Sequence, residues 1–283
     1  MSQSATPIAD EMSEITPVPS ATVTLVRDTN GGVEVLMMQR RLKSVFVPGM
    51  YVFPGGAVDD QDHAPALYEL CAQVSDQQAS ETLGIERGGL DYWVAAIRES
   101  FEEAGLLVAY DKDGELLVLD HAAAIERYRQ HRRALNAGAC TLLEILRNER
   151  LTLAVDRLVY FSHWITPVSA PRRYDTRFFV AAAPPAQSPL HDNQETISHV
   201  WVRAADALAR HHAGDFKMRF PTVRTLEEFA DFADVETLIN AMRAKRNIPT
   251  ILPRIRGSGA RVLPGDPGYD DVSKQEAHGK WKP

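Results

Sequence analysis

Two early stretches of the chain, 21–27 and 33–39, are rich in β-branched and aliphatic residues and flank Asp28-Thr29-Asn30-Gly31-Gly32. That pattern predicts a β-hairpin, and a third short strand is expected from 51 to 53. Between 63 and 91 the period turns helical, around 64–75 and again near Ser80. Gly88-Gly89 then breaks the chain before Asp91, an expected N-cap. From 92 to 104 the pattern predicts an amphipathic helix. At about 100° per residue, Leu90, Val94, Ile97, Phe101 and Ala104 share one side, and Glu99, Glu102 and Glu103 gather on the other. A strand is expected at 106–110, and helices fill 121–150 with a break at Asn136-Ala137-Gly138. Strands follow at 158–164, 177–182 and 199–202, then helices at 204–210, 222–233 and 235–245. Strands interleaved with a few long helices predict an α/β fold, a mixed sheet covered by helices. The Ser/Pro/acid-rich segment 1–20 is expected to be disordered, and Gly, Pro and charged residues from 257 to 283 predict a tail or a surface-draped arm.

The acidic side of the 92–104 helix changes this picture from architecture to chemistry. Glu99 and Glu103 repel one another at i,i+4, and Gly105 marks a helix end, so the three acids sit near the negative pole of the helix dipole. Carboxylates gathered against the local field suggest a bound divalent cation, and hard oxygen ligands suit Mg²⁺ or Mn²⁺. Arg98, four residues before Glu102, is placed to orient that carboxylate. Gly55 and Gly56, after Phe53-Pro54, either form a simple turn or let the backbone approach a metal-bound diphosphate closely, with no Cβ in the way.

Composition narrows the class. The chain has 283 residues, 45% hydrophobic and 24% charged, as in an ordinary soluble globular protein. Its formal charge of −7 argues against a general nucleic-acid or membrane-surface role. The two cysteines, Cys71 and Cys140, suggest neither a disulfide framework nor a zinc site, which fits a reducing cytoplasm. No secretory leader, membrane span or peroxisomal C-terminal tripeptide is expected, and a cytoplasmic location follows. The nine histidines show no ligand spacing.

Arg98-Glu99-Ser100-Phe101-Glu102-Glu103-Ala104-Gly105-Leu106, with Phe53-Pro54-Gly55-Gly56 upstream, resembles the signature box of the Nudix hydrolases. Asp62 stands where that family usually has Glu, and Ser100 where it prefers an aliphatic residue. Residues 63–97 separate Asp62 from Arg98, 35 positions where the pattern has seven. A box split this widely, in the form Arg-Glu-x-Phe-Glu-Glu-Ala-Gly, is similar to the peroxisomal acyl-CoA diphosphatase branch and its bacterial relatives. Trp164-Ile165-Thr166-Pro167, the run from Pro171 to Phe179, Phe220-Pro221-Thr222 and Pro253-Arg254 extend the likeness over about 21–256.

The resemblance implies a Nudix α/β/α sandwich over 21–256, with helical insertions at 63–91 and 121–150 and C-terminal helices. It implies a metal-dependent hydrolase that splits the diphosphate of a nucleoside diphosphate derivative. Coenzyme A or an acyl-CoA comes first, giving 3′,5′-ADP and a phosphopantetheine. An ADP-ribose or NADH diphosphatase is the alternative, and a non-catalytic nucleotide-sensing module a second. Against the coenzyme A reading, Val45 holds the place of an Arg in the upstream signature of classical coenzyme A enzymes. Against the alternative, no Pro lies between Leu106 and Pro167. Glu99 is the expected base and metal ligand, Glu102 and Glu103 are expected ligands, and Glu195, six residues before Trp201, is a candidate extra carboxylate. The metal role of Asp62 is left open.

Arg173, Asp175 and Arg177 share one face of a presumed strand. They either pair with one another or form a cationic wall for phosphates such as the 3′-phosphate of coenzyme A. Arg40 and Arg41 are weaker candidates for the same task. The expected partner is a small-molecule nucleotide, with no nucleic acid and no membrane, and a homodimer is left open.

Overall fold

The computed structural model describes residues 15–40, 49–189, 196–256 and 258–272. The first hairpin forms as β1 (Val18–Thr29) and β2 (Gly32–Arg40), antiparallel with Val26 opposite Val35. The hairpin then splays. The chain returns as β3 (Tyr51–Val52) beside β2 and β4 (Gly55–Ala57) beside β1, so the Phe-Pro-Gly-Gly segment is wedged into the fork. Gly56 lies opposite Ala21 and Gly55 opposite Thr22. The fork itself fixes where the glycines sit.

A 3₁₀ turn at Asp60–His63 follows, then α1 (Pro65–Tyr68), α2 (Asp76–Leu83) and α3 (Leu90–Glu99). After α3 come β5 (Ala109–Tyr110), α4 (Ala122–Asn136), α5 (Leu142–Glu149) and β6 (Thr152–Leu153). The strands β7 (Val159–Ile165), β8 (Tyr174–Ala182) and β9 (Thr196–Arg203) complete most of the main sheet. Helices α6 (Ala204–Ala213), α7 (Phe220–Phe229) and α8 (Val235–Ala244) lead to β10 (Thr250–Ile251) and a small hairpin of β11 (Arg254–Ile255) and β12 (Arg261–Val262).

The sheet runs β10-β7-β8-β1-β2-β3, with β4 against β1 and β9 against β2. It is mixed, because β1 runs parallel to β8 and β10 parallel to β7 while the other pairs are antiparallel. One face is covered by α3 with the insertion helices, around Phe101, Trp93, Leu146 and Phe179. The other is covered by α6, α7 and α8, around Phe161, Phe216, Phe229 and Leu238. This is the three-layer α/β/α arrangement expected from the sequence.

Several details depart from expectation. The helix expected over 64–75 is a single turn, after which the backbone of Cys71 and Ala72 bridges to Leu153 and ties the first insertion to β6, just past the second. Helix α3 begins at Leu90 with Gly89 as its N-cap, so Asp91 lies inside the first turn, buried. The acidic helix is not α-helical to its end: residues Ser100–Ala104 widen into a π turn, closed by Gly105 at φ 71°. The strand β1 also starts before the expected boundary at residue 21, and β12 extends ordered pairing past 257. Residues 1–14, 257 and 273–283, on which the rest of the terminal expectations falls, lie outside the described residues.

Candidate active site

The wedge and the helix end meet. The backbone N–H of Gly55 donates to Glu103 Oε2 at 3.2 Å, and Gly56 packs so closely on Glu99 that a Cβ there would overlap the carboxylate. At Gly55 a Cβ would press on the backbone of Ala21 and Thr22. Neither position has room for a side chain, so the glycines are required by close approach rather than by turn geometry alone.

Arg98 organises the acids from below. Its guanidinium is 3% exposed and forks onto Asp62, Nε to Oδ1 and Nη2 to Oδ2, both at 2.9 Å. Nη2 also reaches the Ala57 carbonyl, while Nη1 lies 2.9 Å from both Glu99 Oε1 and Glu102 Oε2. Asp62 in turn caps its own 3₁₀ turn by accepting the Asp59 N–H at 2.8 Å. With both oxygens engaged and no exposure, Asp62 is the anchor of Arg98. The shorter acid is thus engaged by the arginine and its own turn.

The second insertion closes the helix end. Arg132 of α4 donates to the Glu102 carbonyl at 2.8 Å and the Glu103 carbonyl at 2.6 Å, and Asn136 Nδ2 adds a bond to Glu102 O at 3.2 Å. These donors satisfy carbonyls that the helix end leaves open. Sequence reasoning missed both, since nothing in the spacing of an amphipathic helix thirty residues away marks them. The π turn was also invisible, although such turns recur at functional sites.

The electrostatics follow from burial. Desolvation pushes the Glu99 carboxyl up to about 7, helped by Glu102 and Asp62 and opposed by Arg98. Glu102 is raised for the same first reason, again with Arg98 pulling the other way. Arg98 is held firmly charged, its own desolvation outweighed by Asp62 and the glutamates. Asp62, Glu99, Glu102 and Glu103 therefore crowd a region whose carboxylate-facing cation is Arg98.

Among the described residues no three His, Cys, Asp or Glu side chains converge as a ready-made metal cluster. The donor chemistry nonetheless fits a hard divalent ion. Burial, with the neighbouring carboxylates adding to it, raises the Glu99 carboxyl to about 7, and two glycines leave the approach open.

The other sequence candidates fall elsewhere. Arg173 and Arg177 are 4% and 5% exposed and form no open cationic wall. Arg173 donates to the carbonyls of Thr166 at 3.1 Å and Ile15 at 2.8 Å. Arg177 lies 3.9 Å from Asp175 and over the Tyr92 ring. Asp175 is taken by the buried His163 at 2.5 Å; burial raises its carboxyl, but the His163 bond and Arg177 hold it below the usual carboxylate range. The cost of leaving a guanidinium dry and unpaired explains why Arg173 turns to internal carbonyls, while the buried Arg177 Nε has no hydrogen-bond partner among the described residues. Arg40 ends β2, and Arg41, Val45 and Glu195 lie outside the described residues.

With the geometry in place, the chain can be set beside known proteins. The sequence model of the NUDT19 Nudix domain matches residues 76–228. The acyl-coenzyme A diphosphatase NUDT19 of Gallus gallus is 28% identical over 283 aligned residues, covering 84% of this chain and 73% of that protein. The protein of the same description from Homo sapiens is 26% identical, over 84% and 72%. Among solved structures, a NUDIX hydrolase from Alicyclobacillus acidocaldarius superposes with a TM-score of 0.67 at 24% identity, covering 82% of this chain and 99% of that one. That likeness speaks for the fold.

Proposed function

The chain belongs to the NUDT19-type branch of the Nudix hydrolases, and from that premise we propose that it is a divalent-metal-dependent diphosphatase acting on coenzyme A or its acyl esters. The products would be 3′,5′-ADP and the corresponding phosphopantetheine. The observation that carries the reading is the meeting of Gly55 and Gly56 with Glu103 and Glu99. It puts backbone without side chains against buried carboxylates, an arrangement in which a diphosphate and a cation could share the acids. The relatives supply the substrate class, since those of Gallus gallus and Homo sapiens are described as acyl-coenzyme A diphosphatases.

In this reading Glu99, Glu102 and Glu103 hold Mg²⁺ or Mn²⁺. The ion, once bound, would offset charge on the diphosphate oxygens and acidify water. Glu99, raised by burial to about 7, is suited to take a proton from the attacking water near neutral pH. Water adds to one phosphorus in line, the bond to the bridging oxygen breaks, and the second phosphate leaves with that oxygen. Arg98 acts through Glu99 and Glu102, which it holds by one nitrogen, and Asp62 keeps Arg98 in place. Gly55 and Gly56 allow the diphosphate to approach.

The test is a substrate panel with product identification: coenzyme A, an acyl-CoA, ADP-ribose and NADH, each with Mg²⁺ and with Mn²⁺. The reading expects the highest kcat/KM on the coenzyme A compounds and 3′,5′-ADP as the nucleotide product. A clear preference for ADP-ribose or NADH would move the enzyme to the other substrate class. Ligand-induced stabilisation with no turnover of any compound would mark a nucleotide sensor instead.

A further inference from the structure

At the first turn of α3, the end opposite the glutamates, lies a cavity of about 470 Å³, within the range of small-molecule sites. Its walls include Val58 just after β4, His63, Tyr68, Ile85 and Arg87 of the first insertion, and Tyr92 of α3. Val58 continues the β4 ladder by donating its N–H to Pro19 O at 2.9 Å. Residues two apart on a strand share a face, so Val58 projects to the side on which Gly56 meets Glu99. Two extended residues span about 7 Å, and the seven steps of helix from Tyr92 to Glu99 rise about 10 Å. The cavity thus begins one short molecular arm from the carboxylates.

Its chemistry narrows what that arm is. The walls are mostly aliphatic and aromatic, and the two carboxylates are already engaged. Asp91 accepts from the Tyr68 hydroxyl and pairs with His63 Nδ1 at 2.5 Å. Asp76 accepts the N–H groups of Gly88 at 3.1 Å and Leu90 at 3.0 Å. Arg87 is exposed and has no hydrogen bond or ion pair among the described residues, so its five N–H donors remain available. A nucleoside carrying an extra phosphate would meet the field of Asp76 and Asp91 against a single arginine. A slim, uncharged chain with carbonyl acceptors would meet apolar walls and a free donor.

We propose that this cavity receives the pantetheine arm of the substrate, with Arg87 donating to an amide carbonyl of that arm. The inference rests on the coenzyme A reading and adds to it the residues that select the non-nucleotide half. Two variants test it: Ile85→Trp, which fills the cavity, and Arg87→Ala, at an exposed position where folding is not at stake. Each is assayed on coenzyme A and on the methyl ester of 3′-phospho-ADP, which keeps the nucleotide and diphosphate but lacks the arm. The ratio of kcat/KM, coenzyme A over methyl ester, should fall about tenfold in Ile85→Trp and by roughly threefold to tenfold in Arg87→Ala. A ratio within about twofold of wild type in both variants overturns the cavity assignment and leaves the diphosphatase reading intact. Wild-type protein that does not hydrolyse coenzyme A removes the reading and this inference together, so the two failures are told apart by the wild type alone.

Discussion

Replacing Asp62 with Ala should both loosen the protein and retune Glu99. Asp62 is fully buried and holds two of the Arg98 donors at 2.9 Å each. Removing one partner of a buried ion pair costs about 3–5 kcal/mol, because the charge left behind stays dry. Arg98 keeps the Ala57 carbonyl, Glu99 and Glu102, which places the cost near the lower bound. A loss of about 3 kcal/mol corresponds to a fall in Tm of roughly 6–12 °C for a chain of this size. The second effect has a definite sign. Asp62 raises the Glu99 pKa and Arg98 lowers it, so deleting Asp62 removes the former and frees the latter to act more strongly. The acidic limb of the pH–kcat/KM profile should move to lower pH. Asp62→Asn keeps an acceptor for Nε and should fall between wild type and Ala in stability. Scanning calorimetry and a pH series on one substrate measure both effects. A Tm within about 2 °C of wild type, or an acidic limb that does not move, would refute the anchoring role.

Gly56→Ala forces a methyl group into the Glu99 carboxylate and should lower kcat/KM by about a hundredfold through misplacement of the acid; a loss under twofold would show that the approach is looser than described. Phe101 is 1% exposed in the core beneath the acidic end, so Phe101→Ala should cost about 3–5 kcal/mol by denaturant titration, and an unchanged midpoint would contradict its burial. Metal affinity should depend on pH, because a cation needs Glu99 ionised and burial holds that carboxyl near 7. Below that value Mn²⁺ affinity by calorimetry should rise by up to roughly tenfold per pH unit and level off above it, with proton uptake by buffer marking the release; an affinity flat from pH 5.5 to 7.5 would count against Glu99 as a ligand.

Much of the architecture could be read from where apolar residues concentrate. Runs of β-branched and aliphatic residues marked β1 and β2, whose centres are buried on both faces, and the apolar residues Leu90, Val94, Ile97, Phe101 and Ala104 are all buried, as their helical spacing implied. The glycines and the three glutamates were legible as a pair of motifs, and their juxtaposition became legible through the family resemblance. What lies between the motifs was harder. The strand expected at 51–53 forms as β3, but the splay of the hairpin that seats Gly55 and Gly56 also depends on β4, which is too short to announce itself by pattern. The π turn and the Arg132 cap arise from tertiary contact between the acidic helix and α4. Arg173 and Arg177 show the limit of charge as a signal: Arg173 falls just before β8 and Arg177 within it, both are buried, and spacing alone does not say whether a face is wet or dry.

The central claim is that the acidic end of α3 is the metal-holding centre of a coenzyme A diphosphatase, and Glu103→Gln tests it most directly. Glu103 takes the Gly55 N–H through one oxygen, a bond that an amide oxygen can keep, so the substitution removes charge with little change of shape. In saturating Mg²⁺, with wild-type and variant circular dichroism superimposable, release of 3′,5′-ADP from coenzyme A should fall by several orders of magnitude. A variant that retains activity within about threefold of wild type would contradict the assignment of this site.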